Sequence, residues 1–205
     1  YKMYREALDE KPLNNAAEEI RTKESFTRIT ELPQTYLNAI LAAEDHRFYE
    51  HCGVDIIATA RAAWNDLLTL SLAEGGSTIT QQLAKNMYFS QEKSFIRKVA
   101  ELFMAFNIER NYEKEEILEV YVNGIYFGSG YYSVKEACEG YFETQPQNMT
   151  DYQCIMLAGI PNAPSVYSLD VNPELAQQRM EQVIKQMIKC GYIDEDAEGE
   201  IALAA

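Results

Sequence analysis

The sequence predicts a mainly α protein with at most minor strand content. Three observations lead there. Apolar residues recur at helical spacing through most of the chain, helix caps and stops punctuate them, and there is no internal repeat or low-complexity tract. The first twenty or so residues are polar and weakly patterned. Ser25–Thr30 alternates and reads as a short strand. Pro33 then opens a helix whose apolar stripe is Leu37, Ile40 and Leu41. A second helix is predicted over Ile56–Leu70, and a loop over Thr69–Gly76. Helices follow at about 78–87, 94–109 and 113–122, the last stopping at Asn123-Gly124. Gly128-Ser129-Gly130 makes a loop before a helix at about 133–141. Thr150–Gly159 reads as a buried helix, Pro161–Pro173 as an irregular segment, and Pro173–Lys189 as a final helix.

With 205 residues and 47% apolar composition, the chain can build one substantial core, alone or with a small appendage. Its formal net charge of −14 argues against nucleic-acid binding and against simple electrostatic docking on anionic lipid. An anionic ligand would therefore have to be held by a local group of cations and amides. No stretch approaches the roughly 20 apolar residues that span a bilayer. The chain begins at Tyr1 and reads as a piece of a longer protein, so the missing anchor says nothing about the parent. Cys52, Cys138, Cys154 and Cys190 are widely spaced without a CxxC, which disfavours zinc and predicts free thiols.

Gly75-Gly76-Ser77-Thr78-Ile79-Thr80-Gln81-Gln82-Leu83-Ala84-Lys85-Asn86 is the most distinctive run. As a helix it aligns Thr78, Gln81, Gln82 and Lys85 on one face, opposite Ile79, Leu83 and Met87. Ser77 or Thr78 can cap it, and free N–H groups at a Gly-rich start favour an anion. The run suggests a grip on a polar, negatively charged ligand. An ordinary capped helix with a solvated face fits it equally well. It is not a P-loop, because no Gly-Lys-Ser/Thr follows.

Glu44 lies on the apolar stripe of its own helix, where partial desolvation makes a carboxylate a better base. A helix-end Glu paired with Arg47 is the equal alternative. His46 and His51 are spaced by five and make no HExxH pattern, so a histidine metal site is not expected, and His51 beside Gly53 suits a turn with bonds to backbone. Arg97 and Glu101 form an i,i+4 pair beside Lys98. By itself this reads first as a surface salt bridge, and second as a cation pair for a phosphate with the Glu orienting it. Tyr121, Asn123, Tyr126 and Phe127 read as core packing, though sugar faces also stack on such rings.

In this order the segments resemble the glycosyltransferase domain of family 51, the peptidoglycan polymerases. The resemblance is carried by Glu44-Asp45-His46-Arg47-Phe48-Tyr49-Glu50-His51-Cys52-Gly53, by the Gly75–Asn86 run, and by Arg97-Lys98-Val99-Ala100-Glu101. It continues in Lys114-Glu115-Glu116-Ile117-Leu118-Glu119-Val120-Tyr121-Val122-Asn123 with Tyr126-Phe127-Gly128, and in Leu157-Ala158-Gly159-Ile160-Pro161-Asn162-Ala163-Pro164. It runs from about Phe26 to about Ile193. Val122 stands where the family more often has Leu, a conservative packing change.

The resemblance implies one domain over 1–205: a lysozyme-like helical lobe, a smaller mobile membrane-facing jaw inserted at about 60–76, and a C-terminal run-out helix at about 173–205. The jaw expectation falls on Trp64, Leu67, Leu68, Leu70 and Leu72 before a Gly-Gly hinge. The implied substrates are lipid II and the growing glycan, joined through a β-1,4 bond with inversion and release of undecaprenyl pyrophosphate. Glu44 and Glu101 form the implied catalytic pair, with Glu44 as general base. Lys85, Arg97 and Lys98 would hold the pyrophosphate. Ser77, Thr78, Gln82 and Asn86 would bond sugar or phosphate. Asp45 would hold the network around Glu44, and Phe48 and His51 complete the substrate-binding set. Three roles stay open for Glu101: orienting the cations, touching the donor, or helping hold a divalent cation, Mg or Mn. No other cofactor is implied. The implied partners are the membrane surface, moenomycin-type inhibitors and other cell-wall synthesis proteins. The implied location is the extracytoplasmic face of a bacterial cell membrane, through an N-terminal anchor. The chain end resembles the run-out into the transpeptidase half of a bifunctional class A penicillin-binding protein, with a monofunctional polymerase as the alternative. The competing functions are a lysozyme-like glycan-cleaving enzyme, such as a lytic transglycosylase or muramidase, and a non-catalytic lipid II-binding module.

Overall fold

In the computed structural model the described residues are 1–57, 59–60, 76–89, 94–196 and 199. They are helical, with no strand among them, in keeping with the mainly α class. The expected jaw, with Trp64 and Leu67 to Leu72, lies outside the described residues apart from its ends at 60 and 76. So does most of the helix expected over Ile56–Leu70.

The helices are α1 Lys2–Glu10, α2 Leu13–Arg21, α3 Gln34–Glu44, α4 Ile79–Tyr88, α5 Phe95–Asn111, α6 Lys114–Val122, α7 Val134–Phe142, α8 Asp151–Gly159, α9 Pro164–Tyr167 and α10 Pro173–Lys189. Their starts follow from side-chain chemistry. Thr78 Oγ1 accepts the Gln81 N–H at 3.1 Å while Gln81 Oε1 accepts the Thr78 N–H at 2.9 Å, a reciprocal capping box. Thr150 and Gln153 repeat the device at α8. Ser94 and Ser133 cap α5 and α7. Pro173 opens α10 at the position where a missing N–H costs nothing.

Three sequence expectations are corrected. Residues 1–21 form α1 and α2 where no element was expected; α2 buries Leu13, Ala16, Ala17 and Ile20. The strand over Ser25–Thr30 is absent. Its end enters a one-turn 3₁₀ segment at Ile29–Glu31, where the Arg28 N–H donates to the Glu31 carboxylate at 2.9 Å. Alternation alone cannot make a strand where no neighbouring strand offers a ladder. The irregular stretch 161–173 contains the short helix α9, started by Pro164.

The chain divides into two compact units. One comprises Tyr1–Lys23 with Arg47–Gly124, the other Glu24–His46 with Ile125–Ala205. In the first, α4 packs on α5 and α6, α1 on α5, and α2 on α6. Its core includes Ile79, Leu83, Met104, Ile108, Ile117 and Tyr121. In the second, α3 packs on α8 and α10, and α8 also on α7 and α10. Its core includes Tyr36, Ile40, Ile155, Leu157, Met180 and Ile184. The four cysteines are free thiols. Burial pushes Cys138 and Cys154 up to about 12, which makes them inert packing residues.

Candidate active site

The first unit holds a compact cation cluster. Helix α5 starts at Ser94 and presents Arg97, Lys98 and Glu101 within its first two turns. The Glu101 side chain is only 1% exposed. Arg97 Nε lies 2.8 Å from Glu101 Oε1, and Lys98 Nζ lies 3.1 Å from Glu101 Oε2. This is not the surface salt bridge that i,i+4 spacing first suggests, because the Arg97 side chain is only 14% exposed. Lys98 also donates to Ser77 Oγ at 2.7 Å, tying the glycine-rich run to α5.

Lys85 on α4 joins this group. Its ammonium is held below the ordinary lysine value first by burial and then by the neighbouring Arg97 and Lys98 charges; Glu101 works in the opposite direction. Among the described residues, Lys85, Arg97 and Lys98 gather about the one Glu101 carboxylate, a local group of cations inside a chain of net charge −14.

The polar face expected on α4 is only partly turned outward. Thr78 and Gln81 are buried. The Thr78 hydroxyl donates to the Gly53 carbonyl at 2.6 Å, and the capping box already takes two backbone N–H groups. The start of helix α4 is therefore partly closed by its own side chains. Gln82 Oε1 accepts from the Tyr121 hydroxyl at 3.1 Å, while Asn86 is exposed.

Phe48 and His51 belong to a second polar network. The His51 Nδ1 accepts the Gly53 N–H at 3.2 Å, the backbone role expected for it. Lys114 at the start of α6 donates to the His51 carbonyl at 2.6 Å and to Glu109 at 2.8 Å, and sits 4.4 Å from the centre of the Phe48 ring. Thr80 donates to the same Glu109 carboxylate at 2.5 Å. Gly53 has φ +92°, and a Cβ there would stand 3.1 Å from the Ala105 backbone, so only glycine fits this close approach. Arg47 makes a two-bond fork to Asp55, with Nε to Oδ2 at 2.9 Å.

Glu44 and Asp45 belong to the second unit, at the end of α3. The Glu44 side chain is 4% exposed, and its Oε1 lies 4.0 Å from Arg179 Nη2 of α10. The fully buried Tyr36 phenol is pushed well above its ordinary value by burial first, then by Cys138, Cys154 and Glu44, so it stays neutral beside the carboxylate. Asp45 is buried as well.

Arg179 and the Glu109–Lys114 pair carry structural weight that the sequence reading did not assign. A signal existed for Arg179: it sits three residues after Ala176 and four before Val183, both buried, so it flanks the apolar stripe of α10. A cation at the edge of a core stripe calls for a carboxylate partner. Tyr121, Asn123 and Phe127 are fully buried, the core reading of that aromatic segment.

Residues 9–188 match the family described as Transglycosylase. The chain belongs to this family. Over 167 residues it is 44% identical to penicillin-binding protein 1A of Neisseria gonorrhoeae, covering 82% of this chain and 21% of that protein. Over 165 residues it is 42% identical to penicillin-binding protein 1F of Bacillus subtilis, covering 80% of this chain and 23% of that protein. The chain thus spans about a fifth of the length of these curated relatives. Within the transglycosylase family it is an enzyme domain of peptidoglycan glycosyltransferase type.

A divalent cation does not fit the transglycosylase residues present. Both Glu101 oxygens face cations, and no group of three or more His, Cys, Asp or Glu suited to a metal ion occurs among the described residues. A metal ion at Glu101 would be repelled by three neighbouring positive charges.

Proposed function

We propose that this domain polymerises lipid II, transferring the growing glycan from its lipid pyrophosphate to the sugar hydroxyl of the next lipid II. The new bond is β-1,4, the donor link is α, and the anomeric carbon inverts. The observation that carries the reading is the gathering of Lys85, Arg97 and Lys98 about the buried Glu101. A pyrophosphate leaving group takes the electron pair of the breaking C–O bond, so its growing charge needs cations more than a proton. Lys85, Arg97 and Lys98 supply them, and Glu101 orients Arg97 and Lys98. A glycan-cleaving enzyme would need an acid and no such clamp.

Glu44 is the general base that takes the proton of the attacking hydroxyl. Arg179 lies close enough to Glu44 to steer the carboxylate, while a 4.0 Å separation leaves it short of a direct hydrogen bond. Asp45 supports Glu44 from the next position, and Ser77, Gln82 and Asn86 are the polar groups offered to sugar or phosphate. Thr78, Phe48 and His51 serve the same substrate site by shaping the Gly53 loop and the α4 start.

The parent is inferred to be a class A penicillin-binding protein acting at the extracytoplasmic face of a bacterial membrane. Its relatives' names and the share of their length that the chain spans support this. No helix among the described residues is long and apolar enough to cross a membrane. Membrane contact would therefore fall to the proposed jaw at about 60–76 or to parts of a longer parent.

Incubation with purified lipid II, followed by gel separation of glycan products, tests the reading. Polymer is the expected product, and Glu44→Gln is expected to lower its rate by roughly 10²–10⁴-fold with the fold intact. Polymer at the wild-type rate from folded Glu44→Gln protein would remove Glu44 from the mechanism. Cleaved glycan without polymer would replace transfer with hydrolysis.

A further inference from the structure

A groove of about 420 Å³ in the first unit uses none of the residues assigned above. Leu8 and Leu13 form part of its wall, and four carboxamides, Asn14, Asn15, Asn107 and Asn111, supply its polar lining. No lining residue is titratable, although the chain as a whole carries a net charge of −14. A charged ligand would lose hydration there without gaining a counter-charge. A neutral ligand rich in hydrogen-bonding groups would not.

The carboxamides are oriented by protein hydrogen bonds. The Tyr112 hydroxyl donates to Asn14 Oδ1 at 3.0 Å, which leaves Asn14 Nδ2 as its spare group. Asn111 Nδ2 donates to the Asn107 carbonyl at 2.7 Å and lies 3.2 Å from Asn107 Oδ1. Asn111 Oδ1 and Asn107 Nδ2 are left for a ligand. Fixed donors therefore stand beside a fixed acceptor. Phe103 precedes Asn107 by one turn on the same face of α5 and is 42% exposed. The Tyr1 and Tyr4 rings hold it at centroid distances of 5.8 and 5.9 Å.

We propose that this groove binds an uncharged N-acetylated saccharide, as a site apart from the Glu101 cluster. Sugar hydroxyls both donate and accept, an acetamido group offers one N–H and one C=O to a carboxamide, and a pyranose face stacks on an exposed ring such as Phe103. The volume lies within the range of small-ligand sites. An extended peptide is less suited. It spreads its main-chain groups along a line, whereas the groove presents them as a cluster. The saccharide site goes beyond the lipid II reading and holds whether or not lipid II is the substrate.

The test is titration of the 205-residue chain with the tetramer of N-acetylglucosamine, observed through the side-chain amide resonances of the asparagines. It is run with and without a saturating moenomycin-type phosphoglycolipid. The expected result is saturable shifts of Asn14, Asn15, Asn107 and Asn111 under both conditions. Asn107→Leu should raise the Kd at least about tenfold while phosphoglycolipid affinity stays unchanged. If Asn107→Leu unfolds the chain, Asn15→Leu, on an exposed side chain, serves the same purpose. The site is overturned by an absence of saturable shifts, by shifts that the phosphoglycolipid abolishes, by unchanged Kd in the folded variants, or by shifts seen with a short peptide and not with the saccharide.

Discussion

Helix α5 carries two buried carboxylates, Glu101 and Glu109, and their surroundings differ in one decisive respect. Glu109 has one cation, Lys114, and one hydroxyl, Thr80, while a further Lys114 bond is spent on the His51 carbonyl. Charge there is balanced and its donors are consumed. Glu101 faces Arg97 and Lys98 with Lys85 near by, and Lys98 remains 45% exposed. Among the described residues, three cations there stand about one carboxylate. The balanced pair holds the Phe48–Gly53 segment against α5. Burial of a carboxylate does not by itself mark a site, and it is the number of cations gathered about Glu101 that sets it apart from Glu109.

The largest expected effect breaks the balanced side. Lys114→Met leaves Glu109 buried with a hydroxyl alone, and removing one partner of such a pair costs about 3–5 kcal/mol. For a domain of this size that lowers the thermal midpoint by roughly 6–20 °C, measurable by calorimetry. A drop of under about 2 °C would mean that the Glu109 network is no anchor.

Next comes the geometry of the Glu101 side. Arg97→Ala should weaken binding of a moenomycin-type phosphoglycolipid, and Arg97→Lys should recover only part of the loss, since an ammonium cannot form the planar two-bond fork. Equal affinities for wild type and Arg97→Lys would show that charge alone suffices.

The smallest effect sharpens the contrast through pH. Burial and neighbouring cations lower the Lys85 value in the folded state. The charged form is thereby disfavoured on folding. Its destabilising contribution is fully present below the lowered folded value and disappears as pH rises through the ordinary lysine range. Lys85→Met should therefore raise the thermal midpoint of the ligand-free domain at pH 7, with the advantage shrinking at alkaline pH. A lower midpoint at pH 7 would mean that the attraction of Glu101 outweighs burial.

Much of this was legible in the sequence, and the exceptions have physical causes. Helices with an apolar stripe and a capping residue, such as α4, α7 and α8, are readable because cap and stripe agree. Helices α1 and α2 are not, because neither is opened by a side-chain cap bond and α1 has no fully buried residue. The Ser25–Thr30 alternation misleads because it says nothing about a partner strand. At the candidate site, spacing finds Arg97 beside Glu101 but cannot tell a surface pair from a buried one. Thr78 and Gln81 read as ligand groups, yet they close their own helix, since residue type does not reveal which way a capped turn faces. Arg179 is close to Glu44 only through the packing of α10 on α3, a long-range contact with no local trace beyond the edge of its stripe.

The central claim is that the cations around Glu101, and not the Glu109 network, take the pyrophosphate. Calorimetric titration of a moenomycin-type phosphoglycolipid against wild type, Lys85→Ala, Arg97→Ala and Thr80→Val tests it directly. Each alanine variant should lose about 1.5–3 kcal/mol of binding. Thr80→Val, which removes a hydroxyl from Glu109, should bind like wild type despite a lower thermal midpoint. Unchanged affinity in both alanine variants, or an equal loss in Thr80→Val, would contradict the claim.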